Sequence, residues 1–112
     1  MTNVLRLRLN QWQRQLIIRA LAEARLKANQ ASKNQIDQIV EHLGWIPQKF
    51  SATNLRTSAA ALFPVQAAFQ CQLNSTPVPS SAFSRTLKQA KRAESLRYYL
   101  LSRAAWLEYR MA

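Results

Sequence analysis

Val4-Leu-Arg-Leu-Arg-Leu9, followed at once by Asn10, is the stretch on which the fold turns. Its strict alternation puts Leu5, Leu7 and Leu9 on one face and Val4, Arg6 and Arg8 on the other, the period of a half-buried β-strand. So short a strand is not stable alone. No second strand pattern of comparable strength follows, so the economical partner is the same strand of another copy. The alternative is a single helix capped by Thr2 or Asn3 and running through Leu26. Asn10 suits the N-cap of a first helix at about 11–28, because its short side chain can accept from the first unpaired amides. Trp12, Leu16, Ile17, Ala20, Leu21 and Ala24 then recur at three- and four-residue steps as one apolar stripe.

Further along, Ser32 and Gln35 match the Ser-x-x-Gln capping box of a second helix. Ile36, Ile39, Val40 and Leu43 make its buried face, and Gly44 with Pro47 soon after makes its stop. Residues 51–74 read as helix around Pro64, either one kinked helix or two pieces with Pro64 opening the second. Apolar side chains surround that axis between Ala59 and Leu73, as in a buried helix. Two prolines make 74–81 linker-like, and Ser80 or Ser81 caps a last helix at about 82–109. On a wheel of that helix Phe83, Leu87, Ala90, Leu101 and Ala105 share one side. Arg85, Lys88, Arg92, Arg103 and Arg110 share another, with Tyr99 and Trp106 between the two. Leu96, Leu100 and Leu107 form a third line in the second half, which is therefore expected to lie between partners. The expected fold is mostly α: a short N-terminal β-strand pairing across a dimer, then four or five helices. Residues 1–47 are the expected binding region and 48–112 a helical region for oligomerisation or further contact.

The composition narrows the function. Sixteen Lys and Arg against five Asp and Glu give +11 over 112 residues, while 48% hydrophobic residues is too apolar for a disordered basic tail. Residues 1–31 and 82–112 each carry +5, and no charge occurs from Thr57 through Ser84. Such a chain is expected to bind a polyanion with its two ends. Cys71, the single cysteine, permits no intramolecular disulfide and is expected to be a small buried hydrophobe in a reducing compartment. His42 stands alone, so no zinc site is expected. The five acids are scattered; Asp37 and Glu41 share a helix face but read as a solvated pair beside Lys33. With one glycine there is no phosphate-cradling loop either. No enzyme, cofactor or metal is expected. No apolar run is long enough for a membrane span, and the start lacks the apolar block of a secretory signal. Six basic residues in 1–31 resemble a mitochondrial presequence, but the strand, cap and helix give them a structural reading, and a cytoplasmic protein is expected.

The order strand, Asn cap, helix, Ser-capped helix over residues 4–43 resembles a ribbon-helix-helix DNA-binding domain, the family of the Arc and MetJ repressors. The resemblance implies two N-terminal strands paired across a homodimer and inserted in the major groove as a ribbon. It places Arg6, Arg8 and Val4 against the bases, where an arginine fork can grip guanine O6 and N7. It also sets the N-terminus of the second helix on a phosphate, implicating Ser32, Lys33 and Asn34. Asn10, Arg85, Lys88, Arg92 and Arg103 are further candidate phosphate contacts.

A competing resemblance lies at 79–92, Pro-Ser-Ser-Ala-Phe-Ser-Arg-Thr-Leu-Lys-Gln-Ala-Lys-Arg, which looks like the recognition helix of a helix-turn-helix repressor. That would bring Ser84, Arg85 and Lys88 into the groove, with the helix near 59–73 in support. Two further readings stand beside these. One is an RNA- or ribosome-associated protein in which Trp12, Tyr99 and Trp106 stack on bases beside arginines. The other is a helical adaptor with a basic face for an acidic protein. The expectation taken forward is a sequence-specific DNA-binding regulator, repressor-like and of bacterial, phage or plasmid type, with duplex DNA favoured over RNA and no membrane partner.

Overall fold

A computed structural model describes residues 4–44 and 47–111. Strand β1 is Val4–Leu7, and it is followed by helices α1 (Gln11–Arg25) and α2 (Gln30–Leu43). Strand β2 (Gln48–Ser51) leads directly into α3 (Ala52–Asn74), and α4 (Ser81–Met111) closes the chain. Thr2 and Asn3, the caps of the single-helix alternative, lie outside the described residues.

β1 has its expected faces, Leu7 and Leu9 buried and Val4, Arg6 and Arg8 exposed. Within the chain it has a partner the sequence did not reveal, β2, which pairs with it antiparallel. The register sets Val4 opposite Ser51, Leu5 opposite Phe50, Arg6 opposite Lys49 and Leu7 opposite Gln48. Leu7, Phe50 and the 1%-exposed Gln48 therefore face inward, and the carbonyl of the Gln48 side chain accepts from the Leu9 amide at 2.8 Å. A polar residue at an inward position hides the alternation of β2 from a reading of hydrophobicity. The boundary expected at 47/48 falls between the two strands of one sheet, and a single core takes in residues from both sides of it.

The caps explain the helix starts. Asn10 and Gln13 make a reciprocal capping box on α1: Asn10 Oδ1 accepts from the Gln13 amide at 3.0 Å and Gln13 Oε1 from the Asn10 amide at 2.9 Å. α1 ends at Arg25 rather than 28, and α2 begins earlier than expected. Its cap is Asn29, which accepts from the Ser32 amide at 2.9 Å, so Ser32 is already inside the helix. Gln35 reaches away from the cap to Asn54 Oδ1. Gly44 is the C-cap with φ −77°, so its place there uses no left-handed backbone. Ser51 caps α3 and Ser80 caps α4.

Pro64 sits inside one continuous α3. Its missing N–H leaves the Ala60 carbonyl without its helical donor; both residues are exposed, so water can serve that oxygen. α3 is not buried all round. Leu55, Ala59, Leu62, Val65 and Leu73 face inward, while Ala60, Phe63, Ala67 and Ala68 are exposed. Cys71 is exposed too, because it falls on the outer side of the helix between inward-leaning Phe69 and buried Leu73.

α3 and α4 form a long antiparallel hairpin, with the start of α3 tied to the end of α4 by Arg56 Nε and Glu108 Oε1 at 2.6 Å. The buried line on α4 is Thr86, Ala90, Ala93, Leu96, Leu100, Ala104 and Leu107. The expected third line is thus the main seam of the hairpin, and it packs against α3 of its own chain. Leu101 is half-buried and Ala105 exposed. Alanines in the seam let the two backbones approach closely, and Leu62, Leu96 and Leu100 fill the gaps between them. At a rise of 1.5 Å per residue α4 is about 46 Å long. It stretches the molecule to 52 × 29 × 25 Å and its radius of gyration to 15.1 Å, against about 13 Å for an average domain of this length. No described helix is long and apolar enough to cross a membrane.

Candidate nucleic-acid interface

α4 projects its charge in one direction. Arg85, Lys88, Arg92, Tyr99, Arg103, Trp106 and Arg110 follow one another at steps of three, four or seven, which confines them to a single face. All seven are exposed, Tyr99 at 37% and Trp106 at 42%. The face runs for about 38 Å from Arg85 to Arg110 at 1.5 Å per residue. Both acids of α4 lie off it: Glu94 is on the opposite side, and Glu108 turns to Arg56. Among the described residues none of the five cations on this face has a carboxylate within ion-pair distance.

The rings on this face are paired with the guanidiniums. Arg103 Cζ lies 5.5 Å from the Tyr99 ring centre and Arg110 Cζ 4.8 Å from that of Trp106. Each is an i,i+4 cation–π contact of about 0.5–1 kcal/mol at an exposed site. Arg92 reaches across to α1, with its Cζ 5.2 Å from the centre of the half-buried Trp12 ring. A guanidinium lying on a ring keeps in-plane N–H groups for an acceptor such as a phosphate.

Three basic residues elsewhere, Arg19, Arg25 and Arg56, are ion-paired within the chain. The Arg25 fork grips Asp37 at 2.9 and 3.3 Å, and that hydrogen bond and charge raise the guanidinium pKa further above its ordinary value. Asp37 therefore pairs with α1 rather than with Lys33. Arg19 meets Glu23, and Arg56 meets Glu108.

The sequence-derived candidates fall into three groups. Arg85, Lys88, Arg92 and Arg103 share the open face of α4. Val4, Arg6 and Arg8 stand on the outward side of the sheet, where Arg6 is directly opposite Lys49, a like-charged cross-strand pair. Asn10, Ser32, Lys33 and Asn34 have other work. Asn10 is the cap of α1, the Ser32 amide bonds Asn29 Oδ1, and the Lys33 amide bonds the Asn29 carbonyl. Asn34 Oδ1 accepts from Gln30 Nε2. The amides assigned to a phosphate are one helical turn too far along α2 for that role.

Sequence reasoning missed the residues around Trp12. Gln15 and Arg19 of α1, Phe69 of α3 and Gln89 of α4 line a cleft with Trp12 and Arg92. The i, i+3, i+7 spacing of Trp12, Gln15 and Arg19 marks one edge of α1, but nothing local joins it to residues more than fifty positions away. Among the described residues no cluster of three His, Cys, Asp or Glu could hold a metal ion. No protein family, curated protein or solved structure matches the chain.

Proposed function

We propose that the protein binds nucleic acid along the exposed face of α4. The observation that carries this reading is a row of five cations, without acidic partners among the described residues, about 38 Å long, with Tyr99 and Trp106 set among them. Phosphates neutralise the row, and the rings offer flat apolar faces to bases, the combination used by proteins that hold single strands. An acidic protein partner would meet the charge but has less use for arginine-backed rings in a line. Binding of labelled duplex DNA, single-stranded DNA and RNA at low salt tests the reading. Micromolar or tighter binding to at least one of them, lost on charge reversal at Arg103 and Arg110, supports it. Equal binding by the reversed variant counts against it.

A second reading keeps the duplex-specific regulator. The outward placing of Arg6 and Arg8 on the exposed side of a two-stranded ribbon favours it, because such ribbons can enter a major groove with their outward side chains against the bases. Here the two-stranded ribbon is built within one chain, and a homodimer joined through β1 becomes an addition to it. The helix-turn-helix version has less support, since α3 and α4 lie alongside one another rather than crossing steeply as such pairs do. Selection of bound sequences from random duplexes, with RNA as competitor, separates the readings. A consensus that disappears with Arg6→Ala points to the ribbon, and enrichment without a consensus points to α4. Sedimentation tests the homodimer: a 2:1 mass at micromolar concentration supports it, and a monomer at all concentrations removes it.

A further inference from the structure

Beside the cationic face of α4, three helices close around a cleft of about 270 Å³. α1 contributes Trp12, Gln15 and Arg19, α3 contributes Phe69, and α4 contributes Gln89 and Arg92. Each of the two rings carries a guanidinium, Arg92 over Trp12 at 5.2 Å and Arg19 over Phe69 at 5.9 Å. A second cleft shares the Trp12–Arg92 pair and is lined besides by Ser84, Leu87, Lys88, Lys91 and Ser95. We propose that the first cleft receives one unpaired nucleobase, and the second the adjoining phosphates, of a single strand lying along α4. This deepens the nucleic-acid reading above and rests on it.

The chemistry of the walls selects the occupant. Aromatic rings and guanidinium planes are the surfaces on which bases stack. Glutamine amides offer both a donor and an acceptor, which matches the mixed edges of a base, whereas a phosphate offers acceptors only. The volume is below the roughly 300–1,000 Å³ of sites for drug-sized ligands, which suits one flat ring system. The neighbouring cleft has neither a carboxylate nor an amide: beside Trp12 and Leu87 it offers two ammonium groups, the Arg92 guanidinium and two hydroxyls. Those cations and hydroxyls fit phosphate oxygens. Arg92 belongs to both clefts and to the row on α4, and Lys88 to the second cleft and that row, so the three regions are continuous. In a duplex the bases are stacked and paired, and entering the cleft requires flipping one out. An unpaired base enters without that cost.

The test uses fluorescence anisotropy with a mixed-sequence 12-nucleotide single strand, as DNA and as RNA, its duplex, and single strands carrying one abasic site at each position in turn. The full chain is compared with Gln15→Ala/Gln89→Ala, two exposed positions whose truncation leaves the core untouched. We expect the single strand to bind more tightly than the duplex, and one abasic position to weaken wild-type binding about 5- to 150-fold, the range of one base stack. In the double variant, which keeps the rings and guanidiniums but loses the two amides, intact strands bind more weakly and the abasic effect at that position shrinks. A preference for RNA over DNA assigns the source of the strand, and equal binding leaves the unpaired base itself as the ligand. If intact and abasic strands bind alike, or the variant keeps the abasic effect undiminished, the cleft is not a base site although α4 still binds nucleic acid. If the duplex binds as tightly as the single strand, the unpaired-base assignment falls. If no nucleic acid binds at low salt, both the cleft and the α4 reading fall.

Discussion

Replacing Arg103 and Arg110 together by alanine removes two of the five cations on the open face of α4 and leaves its buried seam intact. Among the described residues neither arginine is ion-paired, and each touches an exposed ring on its own helix, so the lost contacts are worth about 0.5–1 kcal/mol apiece. Alanine's higher helix propensity offsets part of that loss. The fold should survive with its helical circular dichroism unchanged. Binding should not. Each phosphate neutralised on a single strand contributes a slope of about −0.7 to log affinity against log salt. Five contacts predict about −3.5 for the parent and three predict about −2.1 for the variant. Between 50 and 200 mM salt the parent then loses about 130-fold in affinity and the variant about 18-fold. Fluorescence anisotropy over a salt series measures both slopes. Equal slopes, with the variant folded, would refute the assignment of these arginines to phosphates.

Three further outcomes test the fold. Gln48→Ala strands the buried Leu9 amide and should cost about 1–3 kcal/mol by urea denaturation, whereas exposed Gln38→Ala should cost less than 0.5. Leu100→Ala empties the centre of the α3–α4 seam and should cost about 2–5 kcal/mol in the same assay, far more than substitution of half-buried Leu101. Cys71 should react with an aromatic disulfide reagent in the native protein at a rate close to that after unfolding, since it lies on the outer side of α3.

What was legible in the sequence follows the range of the interactions involved. The alternation of Val4–Leu9 and the Asn10 cap are local, and both took their expected places. β2 was not legible, because its inward Gln48 is polar and its role depends on the Leu9 amide 39 residues away. Ser32 and Gln35 match a capping box, yet Asn29 stands three residues before Ser32 and takes the amide such a box would use. On α3 and α4 the alanines blur the pattern, since a methyl group is at home in a seam or in water. The cationic face of α4 was readable because charge and helical period coincide there. The cleft was not, because Trp12, Phe69 and Arg92 come together only when three helices pack.

The most direct test of nucleic-acid binding by α4 is an amide and side-chain NMR titration of the isotope-labelled protein with a 12-nucleotide single strand. The account predicts that the largest shifts fall on Arg85, Lys88, Arg92, Arg103 and Arg110 and on the indole N–H groups of Trp12 and Trp106. Asn29 to Asn34 at the start of α2 should stay still. Shifts confined to Val4–Leu7 and Gln48–Ser51, or no shifts at low salt, would contradict it.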